Sequence, residues 1–306
     1  RQDIILEKCY RNSRPLLATA HALGFGVYRD KGLVLFFDQD NLLSDVGYIV
    51  EEGSLVGGEL VTLKRTHETS PEFLEDHSPP DDLIQFKKFD TPRAQTEWLV
   101  EAIARDIRDQ ELRPEDIVVI NPNPLSTQRE VGPARQKLFA VGINSELAGV
   151  STSADIFTKT GSVTFTGIFR AKGNEAGMVY IMNAQDCASG WDKTATAVVR
   201  NRLFTAITRA KAWVRILGIG PSMDALMQEW NLLKENDYKL HFRYPTDEEK
   251  KQLRLINKDR QGRKNARRRA VRTTRDQLLE AVQQGELDVD QLILDLEKVR
   301  SDSSKK

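Results

Sequence analysis

Short apolar runs alternate with amphipathic stretches along most of this chain. Val163-Thr164-Phe165-Thr166, Met178-Val179-Tyr180-Ile181 and residues 213–217 read as strands, because strands covered by helices on both faces are apolar almost throughout. Helical periods lie between them. Trp98, Leu99, Ala102, Ile103 and Ile107 recur at three- and four-residue spacing, and Pro114-Glu115-Asp116 then leads into Ile117-Val118-Val119-Ile120, a buried strand by its length and branching. Residues 131–147 repeat the unit, with a helix carrying Leu138 and Phe139, a break at Gly142 and a strand near Ile143. Nearer the start, Ser13 is placed to cap a helix over Pro15 to Leu23, with Pro15 in its first turn and Gly24 beyond its end. This βα alternation predicts an α/β fold, a mainly parallel sheet with helices on both faces. Ligands of such sheets are expected at the carboxyl ends of the strands.

Two regions break the alternation. Between about residues 30 and 90, runs such as Leu33-Val34-Leu35-Phe36-Phe37 and Leu60-Val61-Thr62-Leu63 are separated by Gly-rich turns and a polar stretch containing Pro71, Pro79 and Pro80. That pattern reads as a β-rich insertion, with the acidic pairs Glu51-Glu52 and Asp81-Asp82 at turns. After residue 245 the composition changes. Residues 248–275 hold twelve Lys/Arg against three Asp/Glu, so the remainder of a formally neutral chain carries the balancing negative charge. A long exposed basic helix, or an arm that orders on binding, fits this stretch. Its centre, Arg267-Arg268-Arg269, suits sequence-independent phosphate contacts, a protein partner being the other reading. Residues 276–300 read as a helical hairpin around Gly285, with Leu278, Leu279 and Val282 facing Leu292, Ile293 and Leu296.

A chain of 306 residues with 40% hydrophobic content is long enough for one large domain and an appendage. No run of about 18 apolar residues is present, and no signal-peptide pattern, so a soluble, cytoplasmic protein without a membrane partner is expected. Cys9 and Cys187 stand far apart without metal-ligand spacing, which argues against a metal centre or a disulfide framework. The first residue is Arg1, and the chain reads as part of a longer protein.

The most telling segment is Val199-Arg200-Asn201-Arg202-Leu203-Phe204-Thr205-Ala206-Ile207-Thr208-Arg209-Ala210-Lys211. At helical period Val199, Leu203, Phe204 and Ile207 form an apolar stripe, while Arg202 and Arg209 share another edge. A guanidinium held on a packed helix is pre-organised for the multi-oxygen geometry of a phosphoryl group. This Thr-Arg-Ala-Lys run is similar to motif VI of the UvrD/Rep-type superfamily 1 helicases. Ala171-Lys172-Gly173-Asn174-Glu175, set between two strands, is similar to their motif V. Leu6 to Leu17, with Cys9-Tyr10-Arg11-Asn12-Ser13 at its centre, resembles motif IV, where Cys9 replaces the usual Asn. Three motifs in order, each in its expected strand or helix context, make the chain resemble the C-terminal half of such a helicase over residues 1–220.

The resemblance implies a RecA-like (P-loop NTPase-type) domain over residues 1–245, the second of two in the whole protein, followed by the basic helix and hairpin at 246–306. Arg209 is then the arginine finger and Arg11 a second γ-phosphate contact. Glu175 accepts from the ribose hydroxyl, Gly173 lets backbone approach the nucleotide, and Arg202 orients its neighbours. Arg170, Lys172, Phe169 and Thr166 would meet nucleic acid. Phe169 stands where family members often carry a histidine, so it stacks on a base or belongs to the core. The chain holds no Gly-Lys-Ser/Thr loop and no apolar strand ending in an acidic pair, the parts that cradle phosphates and hold magnesium. In the family these belong to the N-terminal RecA-like domain. ATP and Mg2+ are therefore expected in the full-length protein and not on this fragment, which is predicted inactive alone. Single-stranded or partly duplex DNA, or RNA, is the expected partner. Residues 147–163 are too few for the large mobile subdomain that UvrD-type enzymes insert there, so a compact translocase is implied. The alternative is a non-catalytic nucleic-acid- or protein-binding module that keeps the fold without the cycle.

Overall fold

A computed structural model describes residues 12–37, 41–70, 72–153, 155–250 and 253. Arg11 and Cys9, the basic stretch with Arg267, Arg268 and Arg269, and the expected hairpin lie outside the described residues. In chain order the elements are α1 (Arg14–Phe25), α2 (Asn41–Asp45), β1 (Tyr48–Gly53), β2 (Leu60–Arg65), α3 (Glu72–His77), α4 (Pro80–Leu83), β3 (Ile84–Phe89), α5 (Pro92–Arg108) and β4 (Ile117–Asn121). There follow α6 (Thr127–Ala140), β5 (Ser145–Leu147), β6 (Val163–Gly167), α7 (Ile168–Ala171), β7 (Ala176–Ile181), α8 (Lys193–Ile207), β8 (Ala210–Ile219), α9 (Gly220–Glu235) and β9 (Leu240–Arg243). Among the described residues no helix is long and apolar enough to cross a membrane.

Six strands form one parallel sheet in the order β3-β8-β7-β4-β6-β5. Alternate residues of each strand point to opposite faces, and both faces are apolar. Val118, Ile120, Val179, Ile181, Val214 and Ile216 join Leu16, Leu23, Leu203, Ile207, Leu226 and Leu233 of α1, α8 and α9. On the opposite face Ile117, Val119, Phe165 and Met178 join Leu99 and Ile103 of α5 and Val131 and Leu138 of α6. The expected α/β architecture with helices on both faces is the one observed. Leu138 and Phe139 fall in α6 as expected, Leu138 buried and Phe139 exposed, and the strand expected near Ile143 starts at Ser145.

The insertion expected at 30–90 is smaller than its bounds. β1 and β2 form an antiparallel hairpin, to which β9 adds a third strand from the far end of the domain. Residues 84–89, however, are the edge strand of the main sheet, so the elaboration ends at α4. Glu51 and Glu52 are not in a turn. They lie in β1 where its register breaks between Val50 and Glu52, and Glu51 pairs with Lys239 at 2.7 Å and Lys64 at 3.5 Å; these ion pairs offset the poor strand preference of an acidic pair. Asp81 and Asp82 fall in the single turn of α4.

Helix α1 runs past Gly24 and stops at Gly26, whose φ of +77° is the left-handed conformation that closes a helix. Gly24 has a different task. A Cβ there would lie 3.1 Å from Phe204 Cβ, so its bare backbone lets α1 and α8 approach. The buried stripe of α8 is also rotated from the one expected, to Thr196, Ala197, Arg200, Leu203, Ala206 and Ile207. Arg200 enters it because Glu229 of α9 meets its guanidinium with two bonds, of 2.8 and 2.6 Å, while the carbonyls of Ala188 and Leu23 accept two more. One side chain thereby ties α1, α8 and α9 together.

Candidate functional site

Asn12, Glu175 and Arg209, one from each of the three segments, meet at the amino edge of the sheet, where β7 and β8 begin. The backbone N–H of Ala176 donates to the carbonyl of Arg209 at 3.1 Å, which sets Glu175 beside Arg209 at the head of two adjacent strands. Asn12 Nδ2, buried, donates to the carbonyl of Ala210 at 2.7 Å, which brings the residue that follows Arg11 in the chain to the same place. Segments separated by about two hundred residues thus converge here. Their position differs from the expectation that a parallel sheet presents ligands at its carboxyl edge. The reason is topological: α8 returns across the sheet from the carboxyl edge, so whatever follows its last turn emerges at the amino edge.

Arg209 lies beyond α8 rather than within it. Its backbone N–H still donates to Ala206 O at 3.1 Å, its Nε donates to Thr205 O at 3.1 Å, and its Nη2 lies 3.3 Å from Thr208 Oγ1. The guanidinium therefore satisfies a last-turn carbonyl and meets the negative end of the helix, and its plane is fixed while the side chain stays half-buried. Gly173 is exposed with φ of +93°, a conformation that disfavours any side chain. Lys172 is exposed, and Asn174 closes the turn by donating from Nδ2 to the carbonyl of Arg170 at 3.0 Å.

Arg202 does not share this edge. It lies two turns back along α8, about 10 Å of helix, and its charge acts on Asp186 and Cys187 of the turn that follows β7. Its Nε is buried without a hydrogen-bond partner. Burial pushes the Asp186 carboxyl above the ordinary range, and burial with the Asp186 charge pushes the Cys187 thiol up to about 12. Cys187 is accordingly an inert buried thiol.

The residues expected to meet nucleic acid occupy the carboxyl edge and the crossover from it. Thr166 is fully buried, its Oγ1 3.2 Å from the carbonyl of Gly167, so its side chain shapes the strand end from inside. Phe169 is 72% exposed, which removes the core reading. Arg170 turns its Nη2 to the carbonyls of Ser153 at 3.5 Å and Ile156 at 3.4 Å, holding the loop after β5. Residues 168–175 span the sheet from Gly167, level with Asn121 at the carboxyl edge, to Ala176 at the amino edge. A single short crossover therefore links the two edges.

Two further exposed apolar side chains on carboxyl-edge loops are not singled out by the sequence pattern. Leu125 and Trp191, 96% and 86% exposed, stand on the loops that follow β4 and β7, the strands beside and one beyond β6. A tryptophan in the polar, Gly-containing Ser189-Gly190-Trp191-Asp192 turn was the available signal. Beneath them, Asn183 at φ of +54° donates to Asn121 Oδ1 at 3.0 Å and accepts from Gln95 Nε2 at 2.9 Å, a buried amide network that satisfies the ends of β4 and β7. Among the described residues no group of three or more His, Cys, Asp or Glu is placed to hold a metal ion.

Residues 162–217, from β6 through α7, β7 and α8 into β8, match the family model of the UvrD-like helicase C-terminal domain. The matched span includes Thr166, Phe169, Arg170, Lys172, Gly173, Glu175, Arg202 and Arg209. Among solved structures the chain is similar to the C-terminal domain of a possible DNA helicase from Lactobacillus plantarum WCFS1, with 17% identity over 47% of this chain and 81% of that one and a TM-score of 0.35. It is also similar to the Arterivirus nonstructural protein 10 helicase in complex with DNA, with 13% identity over 59% of this chain and 44% of that one and a TM-score of 0.30. No curated protein matches the chain. Likeness at those scores leaves the assignment resting on residues 162–217.

Proposed function

We propose, from the match of residues 162–217 to the UvrD-like helicase C-terminal domain, that this chain is the C-terminal motor half of an ATP-dependent superfamily 1 helicase or translocase. The observation that carries the proposal is the convergence of Asn12, Glu175 and Arg209 at the amino edge of β7 and β8. In this reading a nucleotide lies against that edge, held from its other side by an N-terminal RecA-like domain that supplies the phosphate loop and the Mg2+ ligands. Arg209, with its plane fixed by α8, neutralises charge that spreads over the equatorial oxygens of the transferred phosphoryl group, an effect of about 10³ to 10⁵ in rate for an arginine delivered from outside the phosphate loop. Arg11, next to the anchored Asn12, adds a second cation. Glu175 accepts from a ribose hydroxyl, which suits a group with acceptors only. Gly173 lets backbone approach.

Nucleic acid is assigned to the opposite edge. Phe169 and Trp191 offer flat, exposed faces for bases, Leu125 stands on the loop after β4, the strand adjacent to β6, and Lys172 lies on the crossover between edges. The basic stretch containing Arg267, Arg268 and Arg269 adds phosphate contacts. Single-stranded DNA, alone or next to duplex, or the equivalent RNA, is the strand implied. Nucleotide closing at one edge then moves the crossover that leads to the strand-facing loops at the other.

The test is the single-strand-stimulated ATPase of the full-length protein with and without Arg209→Ala. A loss of two or more orders of magnitude with KM for ATP changed far less is expected for a group acting in the transition state. Unchanged turnover refutes the finger assignment, and absence of stimulated turnover in the unaltered protein leaves the binding-module reading.

A further inference from the structure

The helix-covered face beneath α5 carries, besides the amide network of Gln95, Asn121 and Asn183 at its carboxyl edge, a second polar place. There, between α5 and strands β3, β7 and β8, lies a cavity of about 610 Å³. Trp98 of α5, Trp213 of β8 and Tyr180 of β7 supply aromatic walls, and Gln85, Asp106 and Arg215 supply polar atoms. The volume is in the range of small-molecule sites, which combine apolar walls with a few placed polar groups. None of these side chains belongs to the motifs above.

The polar groups are held, not loose. Tyr180 donates its hydroxyl hydrogen to Asp106 Oδ2 at 2.5 Å. Arg215 donates from Nη1 to Asp82 O at 2.6 Å and from Nη2 to Asp82 Oδ1 at 3.3 Å, and its side chain is 11% exposed. The Trp98 ring lies edge-on to Tyr180 at 6.4 Å, with Lys87 Nζ 4.6 Å from its centroid. Burial raises the Asp106 carboxyl and lowers the Arg215 guanidinium, so both are costly to keep here. An acid, a phenol and a guanidinium set into a helix–sheet interface weaken packing that leucine would complete, which points to a ligand rather than to stability.

We propose that this cavity binds a purine base, guanine in preference to adenine, from a free nucleotide or from a nucleic-acid strand. A flat ring stacks on the indoles. Asp106 accepts from the ring N–H and amino group of guanine through Oδ1 and the lone pair of Oδ2 that Tyr180 leaves free. Arg215, whose Nη1 is held by Asp82 and Val214, donates to its carbonyl oxygen and ring nitrogen from Nε and the second Nη2 hydrogen. Adenine lacks the ring N–H and presents a donor where Arg215 requires an acceptor.

The chain has four tryptophans, so the indole N–H signals of the 15N-labelled full chain report the site directly. GMP is titrated, with AMP, CMP and ribose 5-phosphate in parallel. The Trp98 and Trp213 signals are expected to shift saturably with GMP and at least about tenfold more weakly with AMP and CMP, the discrimination typical of a bidentate base contact. Asp106→Asn weakens GMP by a similar factor; Gln85→Ala, at a partly exposed strand position, gives a smaller loss with folding intact. Arg209→Ala leaves the titration unchanged, which separates this cavity from the nucleotide edge. A (dT)8 strand carrying one dG, set against (dT)8 alone, identifies a strand as the source if it out-competes GMP. The proposal is overturned if Trp98 and Trp213 do not respond to GMP, if ribose 5-phosphate or AMP matches GMP, or if Arg209→Ala abolishes the response.

Discussion

Replacing Arg200 with methionine removes the cation hydrogen-bonded to Glu229 inside the α1–α8–α9 interface and leaves only the weaker, unbonded charge of Arg29 acting on that carboxylate. The pair is nearly sealed, with Arg200 1% and Glu229 5% exposed, so solvent screens it little. The carboxylate loses two charge-assisted bonds of 2.6 and 2.8 Å, and the carbonyls of Ala188 and Leu23 lose their donor. Breaking one side of such a pair costs about 3–5 kcal/mol, a large share of the roughly 5–15 kcal/mol that holds a domain together. Burial already pushes the Glu229 carboxyl upward, and without Arg200 it rises further and the group takes a proton. A folded-state value raised above the unfolded one means stability lost as pH rises, so the deficit of Arg200→Met is largest near pH 8 and shrinks toward pH 5. Arg200→Met/Glu229→Leu should recover most of the loss, leaving the two carbonyls as the residual cost of about 1–3 kcal/mol. Urea unfolding followed by circular dichroism at pH 5 and 8 measures each term. A single-mutant loss under about 1 kcal/mol at pH 8, or a double mutant no better than the single, refutes the account.

Acidification alone should weaken the unaltered protein. His21 is fully buried against Phe25, Tyr48 and Phe204, and burial, with the Arg65 charge, lowers its pKa to about 3. Because the unfolded imidazole takes its proton near pH 6.5, stability falls by about 1.4 kcal/mol per pH unit below that value until pH 3. His21→Phe should flatten that slope in denaturation curves at pH 4 to 7, and an unchanged slope would assign the acid sensitivity elsewhere. Gly26→Ala forces an L side chain into φ of +77° and should cost about 1 kcal/mol in the same assay, whereas no loss would mean that the turn relaxes. Phe169→Ala with Trp191→Ala should weaken single-strand binding by about 1–3 kcal/mol per stacked base without altering its salt slope; fluorescence anisotropy across a salt series reads both, and unchanged affinity would remove the stacking surface.

The central strands were legible because burial on both sides leaves no room for polar residues, and Ile117–Ile120 or Met178–Ile181 therefore announce themselves without a partner. The motif segments were legible for a different reason: Gly173, Glu175 and Arg209 are few residue types with narrow chemical uses. Arg200 was hidden. An arginine in a basic run reads as solvated, and the acid that buries it lies 29 residues on, in a helix whose pattern says nothing of it. The placement of Arg209 at the amino edge was equally illegible, since it follows from where α8 ends against the sheet and not from its own period. β9 carries four residues with no strong signal, and its pairing to β2 is decided wholly by the closure of the domain.

That closure has a consequence for the order of folding. β3 is made well before β8, its neighbour in the sheet, and β2 waits likewise for β9. Contacts so distant in sequence make a slow, high-contact-order fold, and the nascent chain carries an unpaired edge on Ile84–Phe89 until residue 219 emerges and one on Leu60–Arg65 until residue 243 does. Synthesis, not only thermodynamics, sets when this domain becomes safe from aggregation, and truncation before β9 leaves the Leu60–Arg65 edge open.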